Sequence, residues 1–215
     1  MKLSIINGSP RKRTSNSTKI LNWIISGLDK TEYDEIEYIA EVKKQDEILD
    51  KCKKSDSLLF CFPLYVDSMP AQQKLFFEKM EKYKMDFKGK TISFIIHSGF
   101  PEMIQSESLK EYLEMFSTDI MEMNCLGVAI IGGSEALQMA PDQMFSRQIN
   151  ELQSVIRSIE DQTKFPLDIN IKINKRDKLT GFQRFIFKIN PLKNFYWIYR
   201  ASKHPFKVNL KDRPY

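Results

Sequence analysis

The chain has 215 residues, 42% of them apolar and 28% charged, with a formal net charge of +5. That balance excludes a wholly disordered chain, and no apolar run reaches the roughly 18 residues a membrane helix needs. Three cysteines without CxxC spacing and two histidines exclude a zinc ribbon, an iron–sulfur cluster and a disulfide framework, so no metal is expected.

Leu3, Ile5 and Ile6 open the chain as a short apolar strand. No secretory h-region precedes it, and a cytoplasmic location is expected. Asn7-Gly8-Ser9-Pro10 ends the strand, and a polar loop from Arg11 to Ser17 follows. A helix is predicted from about Asn16, with Ile20, Leu21, Ile24, Ile25 and Leu28 on one face. Residues 33–40 read as a second strand, 45–54 as a short helix and 57–62 (SLLFCF) as a strand buried on both faces. Pro63 to Pro70 (PLYVDSMP) is its exit, and a helix follows over 71–83. Residues 90–97 form a fourth strand with the exit Ser98-Gly99-Phe100-Pro101, then a helix over 102–121. Residues 124–131 form a fifth strand ending at Gly132-Gly133-Ser134. The last helix of the body covers 142–164, with Phe145, Ile149, Leu152, Val155, Ile156 and Ile159 as its buried stripe.

Strands alternating with helices predict a three-layer α/β/α sandwich around a five-stranded parallel sheet. In such sheets ligands bind beyond the carboxyl ends of the strands. The first exit has the makings of an anion site, because a helix N-terminus offers free N–H groups and a positive dipole end. Ser9, Arg11, Ser15, Asn16, Ser17 and Thr18 are its candidate ligands, although a plain capped turn uses the same residue types. Neither GxxxxGK[ST] nor GxGxxG is present. The second exit adds an aromatic, Tyr65, beside backbone amides, and the third adds Ser98, Gly99 and Phe100. Together they suit a planar heterocycle bearing a phosphate.

GSPR before a Ser/Asn/Thr-rich helix start, with P-x-Y-x-x-x-M-P after the third strand, resembles the flavodoxin-like NAD(P)H-dependent FMN reductase and quinone oxidoreductase family. The likeness spans residues 1–164. It implies strand order 2-1-3-4-5, FMN as cofactor and NADPH or NADH as co-substrate. It also implies that the first loop holds the phosphate, with Pro63, Leu64, Tyr65, Val66, Asp67, Ser68 and Met69 against the isoalloxazine. Ser98, Gly99 and Phe100 would line the opposite side. This chain departs from many relatives in having only one Gly in HSGFPE, and it lacks the Cys cluster of the iron–sulfur branch. Implied chemistry is hydride transfer from nicotinamide through flavin N5 to a quinone, flavin, nitro or azo acceptor, with no side-chain nucleophile. His97 is read either as a strand-end polar residue or as an acceptor-side proton donor. An electron carrier of the same fold and a flavin-binding regulator are the competing functions.

Residues 165–215 are distinct, with 12 Lys/Arg against 3 Asp/Glu and 10 of the 25 aromatics. Leu167, Ile169, Ile171 and Ile173 alternate as in an extra strand or extended arm, and helices are predicted over 182–189 and 192–200. This extension reads as a lid or as the dimerisation arm of a homo-oligomer. Peripheral membrane contact is the second reading. Nucleic acid is not an expected partner, since no such motif accompanies the basic residues.

Overall fold

A computed structural model describes residues 1–100, 102–138 and 140–174. In chain order the elements are β1 (Lys2–Asn7), α1 (Asn16–Ile25), β2 (Glu32–Tyr33), β3 (Glu37–Tyr38), α2 (Gln45–Lys53) and β4 (Ser57–Pro63). There follow α3 (Ala71–Glu81), α4 (Lys84–Phe87), β5 (Thr91–His97), α5 (Glu107–Met115), β6 (Asn124–Ile131), α6 (Ser146–Glu160) and α7 (Ile169–Asn174).

All strands pair in parallel, in the order β2-β1-β4-β5-β6, with β3 also on β1. This is the flavodoxin-like arrangement. Successive strand residues point to opposite faces. Leu58, Phe60 and Phe62 of β4 thus face one layer, with α2, α3 and α5, while Leu59 and Cys61 face the other, with α1, α6 and α7. Phe77 anchors the first layer, stacking on Phe116 at 4.7 Å and meeting Phe60 edge-on at 5.2 Å. Ile20, Leu21 and Ile24 of α1 meet Val155, Ile156 and Ile159 of α6 in the second.

Four expectations are corrected. The second strand is broken: Leu3 pairs with Tyr33 and Ile6 with Glu37, so the edge carries one residue more than β1 across that interval and bulges at 34–36. The helix over 102–121 is a 3₁₀ turn (Met103–Ser106), α5 and a π turn (Phe116–Ile120). There the Ser117 and Thr118 hydroxyls donate back to the carbonyls of Leu113 and Glu114. The last body helix begins with a 3₁₀ turn over Asp142–Phe145 and ends at Glu160, short of Lys164. Residues 169–174 are helical, not extended, with Ile169 and Ile173 buried one turn apart and Ile171 exposed. The helices predicted over 182–189 and 192–200 lie outside the described residues.

Candidate cofactor site at the carboxyl edge of the sheet

Parallel pairing brings the exits of β1, β4, β5 and β6 to one edge, and backbone bonds stitch them together. Gly8 N donates to Cys61 O (2.9 Å), Leu64 N to His97 O (2.8 Å), Ser98 N to Ile131 O (3.0 Å) and Ser134 N to Ser98 O (2.8 Å).

The first loop is held from within. Buried Asn7 accepts from Ser9 N (2.8 Å) and donates to Ser15 Oγ (3.2 Å) and Thr18 Oγ1 (2.9 Å). Ser15 caps α1 by accepting from Thr18 N, and Thr18 Oγ1 donates to Lys12 O. Ser9 Oγ accepts from Arg11 N, and Lys12 takes positive φ to close the turn. The hydroxyls of Ser15 and Thr18 are therefore engaged in shaping the loop. What remains for an anion is mostly backbone: the amides of Arg13, Asn16 and Ser17 meet no acceptor among the described residues. The exposed Arg11 guanidinium likewise has no partner among them, whereas Arg13 stacks over Tyr38 at 5.2 Å and Lys12 faces Glu41.

Ser17 and Asn16 reach across to the other exits. Ser17 Oγ lies 2.7 Å from His97 Nε2, and His97 Nδ1 lies 3.0 Å from Ser134 Oγ. Asn16 Nδ2 donates to Ser134 O (2.7 Å), leaving its buried Oδ1 without a partner among the described residues. Burial pushes the His97 imidazole down to about 3, so it is neutral. With 4% exposure and both nitrogens engaged, His97 ties three exits together.

In the second exit, Pro63 ends β4 and Met69 is buried in the core, with Leu64 packed against it. Only Tyr65 to Ser68 projects. Tyr65 and Ser68 exchange backbone bonds (2.8 and 3.1 Å) around Val66 and Asp67, whose φ angles are +50° and +58°. Positive φ at both central positions matches a type I′ turn, which prefers Asn-Gly and strains a β-branched residue. Val66 is 97% exposed at this tip. In the third exit Ser98 is buried, donating to Phe100 O (2.9 Å), Gly99 packs on Glu135, and Phe100 is exposed.

Sequence reasoning missed Asn7, Gln73 and Ser134. Asn7 in N-G-S-P carried an Asx-turn signal, and Ser134 ends the Gly132-Gly133-Ser134 exit of β6. Gln73 had no local signal; its amide is buried against Gly8. A groove of about 560 Å³ lies to one side, lined by Arg13, Tyr38, Glu41, Lys44 and Lys51 among others. Lys44–Glu41 and Lys51–Glu37 pairs already neutralise much of its charge. The three cysteines are free and buried, and burial pushes Cys52 up to about 12. Among the described residues no group of His, Cys, Asp and Glu could hold a metal, and no helix is long and apolar enough to cross a membrane.

Fold and topology define a flavodoxin-like α/β protein, with amide donors lacking an acceptor among the described residues at the carboxyl edge of its sheet. The NADPH-dependent FMN reductase family matches residues 1–132, and the chain belongs to that family. It is an NAD(P)H-dependent oxidoreductase with FMN as cofactor. The amides and the Arg11 guanidinium, donors without a partner among the described residues, fit a phosphate-bearing group, so the residues present agree with FMN. The orphaned Asn16 Oδ1 is an acceptor and takes no part in that fit. No curated protein matches the chain. Among solved structures, an NADH:FMN oxidoreductase in its apo form is 15% identical, with a TM-score of 0.59 over 79% of this chain and 93% of that one. An NADPH-quinone reductase from P. pentosaceus is 17% identical, TM-score 0.55, over 74% and 96%. An FMN-dependent NADH-azoreductase from Bacillus anthracis, in complex with FMN, is 14% identical, TM-score 0.53, over 74% and 100%. At these identities the likeness establishes the fold.

Proposed function

We propose that this enzyme moves hydride equivalents from NAD(P)H to a small acceptor of the quinone, flavin, nitro or azo class. The observation that carries the site is the first loop, where amides at the α1 N-terminus and the exposed Arg11 guanidinium have no partner among the described residues. The amides of Asn16 and Ser17, with Arg11, would hold the FMN phosphate, while Ser9, Ser15 and Thr18 keep the loop in shape. Tyr65 to Ser68 and Ser98 to Phe100 would border the isoalloxazine, with Pro63, Leu64 and Met69 supporting the turn from below. Bound there, FMN supplies a ring that accepts hydride at N5 and passes the electron pair on. The chain's part is to bind and orient; exposed Tyr65 and Phe100 offer flat apolar surface to an incoming aromatic acceptor. Acceptor class rests on the quinone- and azo-reducing neighbours.

Arg11→Ala is expected to weaken FMN binding about tenfold, the loss of one charge-assisted bond of about 1.4 kcal/mol. Turnover at saturating FMN stays near the parent value. A steady-state panel of the four acceptor classes tests the rest, and failure to reduce any of them would overturn the small-acceptor reading. The 165–215 extension is proposed as a lid or dimerisation arm of a cytoplasmic homodimer. Its basic, aromatic composition supports that role, and vesicle binding would instead favour membrane contact.

A further inference from the structure

β6 is the last strand of the sheet and has no neighbouring strand on its outer side among the described residues. Such an edge presents unpaired N–H and C=O groups to any other strand. Here they are occupied by side chains of α7. Asn170 Oδ1 accepts from Ile130 N (2.8 Å) while its Nδ2 donates to Val128 O (3.1 Å). One turn later, Asn174 Oδ1 accepts from Gly132 N (2.7 Å) and its Nδ2 donates to Ile130 O (2.7 Å). Further back along the strand, Phe165 N donates to Leu126 O (2.7 Å) and Lys164 Nζ donates to Cys125 O.

The two asparagines repeat one pattern because their spacings agree. Outward-facing groups on a strand recur every two residues, about 6.6 Å. Residues four apart on a helix are displaced by about 6.0 Å along its axis and share a face. A carboxamide carries the same donor and acceptor as a peptide group. An Asn at i and i+4 on a helix alongside the edge can therefore serve two successive positions of the strand. Asn174 Nδ2 also donates to Asn170 O (2.8 Å), which fixes the second carboxamide from its own helix. Ile169 and Ile173, buried at the same four-residue interval, hold the helix on the sheet.

We propose that α7 stands in for one further strand beyond β6, with Asn170 and Asn174 closing the β6 edge against strand pairing with a second copy of the chain. The second copy is the fitting occupant because β6 is a buried, apolar run whose outer line of donors and acceptors would complement the same line on another molecule. The inference is independent of the flavin assignment.

The test uses the full chain, with hydrogen exchange read at single amides. In the parent protein Ile130 and Gly132 should exchange at least about tenfold more slowly than free amides at every protein concentration. In N170A/N174A both should lose that protection in dilute solution and regain it as concentration rises, alongside a mass increase by light scattering. Such re-protection separates edge pairing from any other dimer. If the double variant does not fold, N170A and N174A alone each release one position and should show the same behaviour at that position. Unprotected Ile130 and Gly132 in the parent would overturn the proposal. So would variants that lose this protection and stay at the parent's mass at all concentrations.

Discussion

At the scale of single residues, two side chains contradict local preference, and each has a measurable consequence. His97 is held neutral down to about pH 3 by burial, whereas the unfolded chain protonates it near its ordinary value of about 6.5. The unfolded state therefore binds the extra proton between those values. Stability from this residue is full above about pH 6.5 and declines as pH falls toward the folded value. Urea unfolding between about pH 5 and 7 should show a slope approaching 1.4 kcal/mol per pH unit that His97→Gln removes. A variant with the parent's slope would refute this. Val66 takes a φ of +50° at an exposed tip. Val66→Asn, which tolerates that region, should raise stability by about 1 kcal/mol in the same assay. A loss would show that the turn is not strained. The placement of Ser17 belongs here too. Its hydroxyl could be counted as a phosphate donor from the sequence, but its bond to His97 depends on a residue 80 positions away.

At the scale of elements, the exits are coupled by contact rather than by sequence proximity. Gly8 is required for space: a Cβ there would fall 2.1 Å from Gln73 Oε1 and 3.0 Å from Phe62 Cβ. Gln73 lies in the first turn of α3, directly after the Tyr65–Ser68 turn, so Gly8 is where the first and second exits meet. Gly8→Ala should destabilise by about 1–3 kcal/mol through overpacking and weaken FMN binding. Adding Gln73→Ala should restore much of both, and a strictly additive double variant would show the two sites uncoupled. Strands β4, β5 and β6 were legible because continuous apolar runs bounded by Gly, Pro and Asp have few alternatives. The edge was not. Residues 32–38 alternate only partly, and the bulge at 34–36 becomes visible only in the pairing with β1. The segment Ile169-Asn170-Ile171-Lys172-Ile173-Asn174 has β-branched residues at alternate positions and reads as a strand. Burial of Ile169 and Ile173, and the bonds of both asparagines to β6, decide for helix. Those partners lie about forty residues away in sequence, beyond any local pattern.

For the molecule as a whole, alternation of helix and parallel strand makes the architecture, and the architecture makes the site. All four exits at the carboxyl edge were recognisable from their turn residues, because Gly, Ser and Pro mark where strands must stop, although only three were read as site loops. The division of labour within them was not, since hydroxyls that stabilise a loop and hydroxyls that bind an anion are the same in sequence. In the structure most of them bond within the loop or to His97, and backbone amides and the exposed Arg11 are left without a partner among the described residues. The central claim is that this edge binds FMN in a state NAD(P)H can reduce. It is tested most directly by loading the purified full chain with FMN, removing oxygen, and following flavin absorbance after adding NADPH or NADH. Rapid bleaching of protein-bound flavin with either nucleotide is the predicted result. Flavin that binds but keeps its oxidised spectrum with both would contradict the account.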